Sequence, residues 1–285
     1  MEIRKIGIIS KPSKTEALEL IKDLLPWFKD RGYDIVLEQE TAEEMGLKGV
    51  QRAALAKEVD VLVVLGGDGT MLSAARVVAP RDVPILGINL GGLGFITEVN
   101  VSEVYTALEK MLKGECSIEE RMMLHSEVLR HGDRIAEHTI LNDVVITKGA
   151  LARIIDLETY IDHNYVTTYK ADGLILSTPT GSTAYNLSAG GPILHPSLDC
   201  IIMTPICPHT LTNRPLVIPG ESMVEVSLIS DSEDVFLTLD GQVGMSLRKG
   251  DIVQVKKSPH KTKLLVPCEK DYYQVLREKL NWGKR

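Results

Sequence analysis

Along the first hundred residues, short unbroken apolar runs alternate with longer stretches in which apolar residues recur every three or four positions. The runs in RKIGIIS, YDIVLE, VDVLVVLGG and VPILGINLG read as strands. The one at residues 61–65 is apolar throughout, as expected of a strand buried on both faces of a parallel sheet. Between the strands, KTEALELIKDLLPWFKDRG places Ala17, Leu18, Ile21, Leu24, Leu25 and Phe28 at helical spacing and closes at Gly32. Pro26 in that stretch either kinks the helix or begins its last turn. VQRAALAKEV and GTMLSAARVVA read as further helices. Such alternation implies a parallel sheet with right-handed crossovers and a ligand site at the carboxyl ends of its strands.

VSEVYTALEKMLKGE is one more amphipathic helix, stopped by Gly114, and after it the texture changes. From about Ile118 the chain is strand-rich, with hairpin signals at HGDR (131–134) and LDGQ (239–242). Near the end, KLLVPCEKDYYQVLREKL turns from a strand into a terminal helix. The expected fold is an α/β N-terminal domain with a parallel sheet, residues 1–117, followed by a β-rich domain, residues 118–269. The last helix, residues 270–285, packs back on the first domain.

Composition narrows the function classes. A chain of 285 residues suits two domains with real cores, and at 5% aromatic residues those cores must be aliphatic. The net charge of −7 and pI near 5.6 argue against nucleic acid as the main partner. No stretch has the order of a signal peptide, and no apolar run approaches the roughly 18 residues that span a bilayer, so a cytoplasmic protein without a membrane partner is expected. Cys116, Cys200, Cys207 and Cys268 lack C-x-x-C spacing and read as buried reduced thiols, and the seven histidines form no H-E-x-x-H pair, so no structural metal is expected.

The chemistry concentrates in a few segments. After the run at 61–65 comes GGDGT, where Gly66, Gly67 and Gly69 remove Cβ atoms around Asp68 and a helix follows at once. A helix N-terminus behind a glycine turn is an anion site, most plausibly for phosphate. A carboxylate there costs repulsion, so Asp68 needs a task that uses negative charge, either taking a proton from a hydroxyl or holding a cation through water. The plainer alternative is a tight turn with Asp68 as the helix N-cap. INLGGLGFIT adds Gly91, Gly92 and Gly94 at the same sheet edge, as a second wall of the pocket or as a flexible connector. TYKADGLILSTPTGSTAYNLSAGGP (168–192) offers hydroxyl and backbone donors suited to a diphosphate or ribose, with Tyr185 as a flat ring for a base; otherwise it is a hydroxyl-rich turn. In LNDVVITKG, Asn142 and Asp143 could bond an adenine edge and a ribose diol, or simply form a turn. Neither G-x-x-x-x-G-K-[ST] nor G-x-G-x-x-G occurs, which argues against a Walker-type NTPase and an ordinary Rossmann dehydrogenase.

GGDGT, GINLGGLGFIT, LNDVVI and TPTGSTAYNLSAGGP, in this order, resemble the NAD kinase family, from about Lys5 to the C-terminal helix. The last motif is the specific one, because diacylglycerol-type lipid kinases and phosphofructokinases carry related G-G-D-G turns. The resemblance implies transfer of a phosphoryl group from ATP, or in some members polyphosphate, to the 2′-hydroxyl of the adenosine ribose of NAD. A divalent cation, Mg²⁺ or Mn²⁺, would accompany the donor. By that resemblance Asp68 accepts the proton and Gly69 lines the site beside it, with Gly66, Gly67, Thr70, Gly91, Gly92 and Gly94 around the phosphates. Asn142 and Asp143 hold the acceptor, Arg153, Lys170 and Asp172 are polar ligands, Thr183, Ala184, Tyr185, Asn186, Leu187 and Ser188 form the nucleotide loop, and Gln242 is the last matching position. Family members are homodimers or homotetramers. A lipid kinase is the nearest rival, although an acidic chain shows no surface for a bilayer. A non-catalytic dinucleotide sensor is the other, although binding alone would not require Asp68.

Overall fold

A computed structural model describes residues 2–11, 14–92, 94–97, 99–150, 152–231, 234–267 and 271–283. It divides into two compact units, residues 1–120 with 261–285, and residues 121–260.

In the first unit, strands β1 (Lys5–Ser10), β2 (Asp34–Leu37), β3 (Val61–Gly66), β4 (Ile85–Asn89) and β5 (Val99–Asn100) alternate with helices α1 (Thr15–Lys29), α2 (Gln39–Glu44), α3 (Arg52–Leu55), α4 (Asp68–Val78) and α5 (Val104–Lys113). The strands are parallel in the order β5-β4-β3-β1-β2. Strand β3 is buried at every position because β1 and β4 flank it, with Ile6 beside Val61 and Leu62 beside Ile85. The core joins Ile6, Ile8, Val63 and Ile88 of the sheet to Ala17, Ile21, Leu24 and Phe28 of α1 and to Val104, Ala107, Leu108 and Met111 of α5. Fully burying a side chain such as Phe28 stabilises the fold by roughly 1.5–3 kcal/mol.

Two details answer or amend the sequence reading. Helix α1 runs through Pro26 and ends at Lys29, with the Asp30 N–H donating to Pro26 O, so Pro26 begins the last turn. The helix expected over residues 50–59 shrinks to α3, because Val50 is spent on the sheet: its N–H donates to Leu37 O and its carbonyl accepts from Gln39 N. Gly49 makes this close approach possible, since a Cβ there would run into Ala42 and the Gln39 backbone.

The chain enters the second unit along β6 (Ser117–Arg130). Strands β7 (Asp133–Ile140), β8 (Asp143–Lys148), β9 (Ile155–Ile161), β10 (Asn164–Ala171) and β11 (Gly173–Ser177) follow, then helix α6 (Tyr185–Ser188). Strands β12 (Cys200–Ile206), β13 (Leu216–Pro219), β14 (Val224–Leu228), β15 (Val235–Leu239) and β16 (Val243–Leu247) complete it, and the chain leaves along β17 (Ile252–Val266). One antiparallel sheet runs β13-β12-β11-β8-β15-β16, and β10, β9, β14 and the start of β17 form another. Their facing apolar residues, among them Ile146, Leu157, Leu174, Val226 and Leu237, make a separate core. His131–Gly132 and Asp240–Gly241 have positive φ at both positions, as type I′ hairpin turns require. Asp162–His163 makes a third such turn without glycine, which is why the sequence signal missed it.

Back in the first unit, α7 (Tyr272–Leu280) is capped by the Asp271 side chain accepting from Tyr273 N at 3.1 Å, and buries Val275 and Leu276. The expectation of buried thiols holds for Cys200. Cys116 is half-buried, Cys207 is exposed where β12 ends in a positive-φ residue, and Cys268 lies outside the described residues. No helix of the described residues is long and apolar enough to cross a membrane.

Candidate active site

Strand β3 delivers Gly66 and Gly67 to the carboxyl edge of the parallel sheet, and α4 starts immediately. The N-cap of α4 is Gly67, with no side-chain cap, and Asp68 is the first helical residue. Asp68 is therefore not the N-cap that the plainer reading made it. Its carboxylate instead reaches across to the loop after β4. Oδ2 accepts from Phe95 N at 2.8 Å, while Oδ1 accepts from Ile96 N at 3.1 Å, Thr97 N at 3.1 Å and Thr97 Oγ1 at 3.0 Å. With about two acceptor positions per oxygen, Oδ2 keeps capacity for one more hydrogen and Oδ1 does not.

The glycine loop is held from its other end as well. Asn89 Nδ2 donates to Gly92 O and Thr97 Oγ1, both at 2.8 Å, and Asn89 Oδ1 accepts from Gly91 N at 2.8 Å. A segment tied to both β4 and α4 is a wall, not a loose connector. The glycines divide by cause. A Cβ at Gly66 would strike the Thr70 side chain and one at Gly94 would strike Asp68 and Thr97, whereas at Gly67 and Gly92 a Cβ would meet nothing within 4 Å among the described residues. The first two are internal packing requirements, and the second two leave open space for an incoming group.

That space is a cavity of about 250 Å³ lined by Gly66, Gly67, Asp68, Asn89, Gly91, Gly92 and Gly94, and by Lys11, Lys14 and Lys279. Gly69 and Thr70 lie one step further into α4 and do not line it. The Lys14 ammonium donates to Leu90 O, and the Lys279 ammonium sits 5.6 Å from the centre of the Phe95 ring. Three cations around one carboxylate, at the N-terminus of a helix, suit a polyanion that carries a reacting hydroxyl or a cation to Asp68. The lysines escaped the sequence reading. Lys11 and Lys14 stand just after β1, a position at the sheet's carboxyl edge that could have drawn notice, but nothing local marks Lys279.

A second cavity, of about 420 Å³, lies wholly in the second unit, lined by Asn142, Asp143, Val145, Thr147, Ala184, Tyr185, Thr238, Asp240 and Gly241. Its volume falls in the rough range of 300–1,000 Å³ typical of small-molecule sites. Asn142 is 9% exposed, and its Oδ1 is buried without a hydrogen-bond partner among the described residues. Such an atom is costly unless a ligand satisfies it. Tyr185 is 44% exposed and presents its ring to the cavity. Asp143 is nearly buried at the start of β8, and its carboxyl is pushed up to about 7, first by burial and then by the neighbouring Asp240.

Other expected contacts fall elsewhere. The hydroxyls of Ser177, Thr178 and Ser182 are wholly buried and donate to the carbonyls of Asn142 and Thr178, of Leu141, and of Leu194. Ser177 and Thr178 hold the loop against Leu141–Asn142, Ser182 ties it to Leu194, and these hydroxyls are spent inside the protein. Asn186 is wholly buried too; its amide donates to Ser182 O and Pro192 O and accepts from Thr204 Oγ1. Its side chain is a staple of the loop rather than a nucleotide ligand. Thr183, Leu187, Ser188 and Gln242 do not line the cavity, nor do Arg153, Lys170 and Asp172. Arg153 is exposed, Lys170 pairs with Asp156 at 3.7 Å, and Asp172 pairs with Lys148 at 3.6 Å.

Known proteins resemble this chain over almost its whole length. Residues 6–116 match the family model described as the ATP-NAD kinase N-terminal domain, and residues 141–266 match the ATP-NAD kinase C-terminal domain. Among relatives, the chain is 51% identical to an NAD kinase of Geotalea daltonii over 284 residues, covering 99% of this chain and 100% of the relative. It is 52% identical to an NAD kinase of Geobacter sulfurreducens over 284 residues, with the same coverage. Among solved structures it resembles a yeast NADH kinase complexed with NADH, with a TM-score of 0.93 and 26% identity over 100% of this chain and 89% of that one. It also has the fold of an NAD kinase from Archaeoglobus fulgidus in complex with ATP, with a TM-score of 0.78 and 24% identity over 97% and 98% of the two chains. Neither a lipid kinase nor a non-catalytic sensor finds support in these matches.

Proposed function

The chain belongs to the NAD kinase family and its activity is phosphoryl transfer to NAD, and on that premise we propose which of its residues do the work. The cavity at Gly67 and Gly92 takes the phosphates of the donor, ATP or polyphosphate, and the cavity at Asn142 takes the acceptor dinucleotide. Asp68 accepts the proton of the adenosine 2′-hydroxyl, at Oδ2, as the phosphoryl group moves. The observation that carries this reading is the carboxylate of Asp68, whose Oδ2 accepts from Phe95 N and keeps room for one more hydrogen, on a wall otherwise built of glycines, lysines and Asn89. Gly69 and Thr70 support the first turn of α4. Arg153, Lys170, Asp172, Thr183, Leu187, Ser188 and Gln242 remain candidates for the outer edge of the acceptor site or for contacts in a homodimer or homotetramer, which together with a cytoplasmic location is part of the proposal.

The reaction needs a divalent cation, and we assign it to the donor phosphates, as Mg²⁺ or Mn²⁺. Among the described residues no group of three or more His, Cys, Asp or Glu is placed to cage a metal, and Asp68 is the carboxylate on the phosphate-cavity wall. That donor set fits a cation bound chiefly through phosphate and water oxygens, where it would neutralise charge on the transferring group. Purified protein given NAD, ATP and Mg²⁺ should make NADP; EDTA should stop turnover and leave the melting temperature unchanged. No NADP under these conditions sinks the proposed reaction, and a melting temperature lowered by EDTA reveals a metal that holds the fold.

Lys279 gives a test of the donor site. Removing one of three cations that face a polyphosphate should raise KM for ATP by roughly tenfold, with KM for NAD unchanged, as the contact is uniform across ground and transition states. Steady-state kinetics of Lys279→Ala read this directly, and an unchanged KM for ATP removes Lys279 from the donor site.

A further inference from the structure

Two carboxylates face the acceptor cavity, which is an odd provision for a dinucleotide that carries negative phosphates. The described residues lining that cavity include no Lys, Arg or His. Each is accommodated differently. Asp240, at the turn after β15, is 5% exposed, and its carboxylate accepts from the backbone of β8 and the residues before it. Oδ1 takes Asn142 N at 2.7 Å and Asp143 N at 3.3 Å, and Oδ2 takes Leu141 N at 3.2 Å. The Asp240 N–H returns a bond to Asp143 O at 2.9 Å, closing a reciprocal clamp. Asp143 has no such set of donors, and at 4% exposure it has little water either.

We propose that Asp240 is a positioning residue of the acceptor site, one that fixes the placement of the Asn142–Asp143 pair and sets a second carboxylate beside Asp143. Placement follows from the clamp: three consecutive amides are held by one carboxylate, so the Asn142 side chain, with its unpartnered Oδ1, is aimed by a residue 98 positions away. Protonation follows from charge: the groups facing Asp143 are its own β8 neighbours, Ser177 of β11, Asp240 beyond β15 and Tyr185 of α6, and of these Asp240 supplies negative charge. Burial and that charge together keep a proton on Asp143 up to about pH 7. The chemistry that would recognise the ionised form is a vicinal diol, since each ribose hydroxyl donates and a carboxylate can accept both, whereas the neutral acid replaces an acceptor with a donor. Binding of the dinucleotide then releases one proton, and affinity rises with pH as Asp143 ionises.

This rests on the reading of the cavity as the acceptor site, and calorimetric titration of the full chain with NAD from pH 5.5 to 8.5 separates the two. The wild type should bind about tenfold more tightly per pH unit below about 7 and level off above it, with an enthalpy that varies with the buffer's own ionisation heat. Asp143→Asn should bind roughly tenfold or more weakly at high pH and show no step. Asp240→Asn should move the step to lower pH, and Asp240→Glu, which keeps the charge but displaces it, should keep a step near 7 with weaker binding. A step that persists in Asp143→Asn, or one that stays in place in Asp240→Asn, overturns the proposal; if Asp240→Asn does not fold, a lost step in Asp240→Glu overturns it equally. Tight binding at every pH with no step in the wild type overturns this inference alone, and no NAD binding at any pH overturns the reading of the cavity as well.

Discussion

Asp68→Asn should lower kcat by roughly 10² to 10⁴, the contribution of a positioned general base. The substitution is less gentle than its size implies. Asp68 accepts four hydrogen bonds from residues 95–97, and an amide must turn its NH₂ toward at least one of those donors. Leaving a donor unsatisfied costs about 1–3 kcal/mol, so a fall in melting temperature is expected beside the fall in kcat. NAD affinity should persist, because every residue lining the acceptor cavity lies in the other unit. Thr97→Val separates the two roles of Asp68. It removes the Thr97 hydroxyl that donates to Asp68 and accepts from Asn89, yet leaves the carboxylate in place. If Asp68 carries a proton, Thr97→Val loses less than tenfold in kcat. Equal losses in the two variants, measured under saturating NAD and ATP, would show that Asp68 acts only by holding the loop.

Tyr185→Ala should raise KM for NAD by about 5- to 150-fold and leave kcat close to normal. A base stacked on an aromatic ring is worth roughly 1–3 kcal/mol by alanine substitution, and a contact far from the reacting hydroxyl serves ground and transition states alike. Tyr185 is suited to this because 44% of its surface remains exposed beside a cavity whose other walls are small or polar. Tyr185→Phe keeps the ring and should behave as the wild type. Kinetics with varied NAD decide the matter: an unchanged KM in Tyr185→Ala removes the ring from the acceptor site.

Several of these residues were legible in the sequence and others were not, and the division follows how local each cause is. The buried run at residues 61–65, the glycines around Asp68, the helix stop at Gly114 and the turns at 131–134 and 239–242 are each set by a few adjacent side chains. Turn geometry needs particular φ values, and an unbroken apolar run needs cover on both faces, so contiguous residues announce them. The hairpin at Asp162–His163 shows the limit, since its positive φ values are borne by residues that do not advertise them.

Partnership at a distance was the part that the linear pattern could not hold. A run of hydroxyls from Ser177 to Thr183 reads the same whether it faces a ligand or its own carbonyls, and the carbonyls of Leu141, Asn142, Leu194 and Thr180 turned most of it inward. In LDGQ the sequence reading singled out Gln242, whereas the cavity is lined by Asp240, because β8 and β15 are neighbours and their pairing brings that carboxylate under the amides of Leu141–Asp143. Likewise Lys279 joins the phosphate cavity only because α7 returns to the unit in which the chain began. The sequence by itself determined the elements, the turns and the kind of chemistry, since these depend on side-chain type at short spacing. The tertiary structure decided which polar groups are spent inside the protein and which are left for substrate, because a hydrogen bond is satisfied by whatever the fold puts within about 3 Å, however far away it lies along the chain.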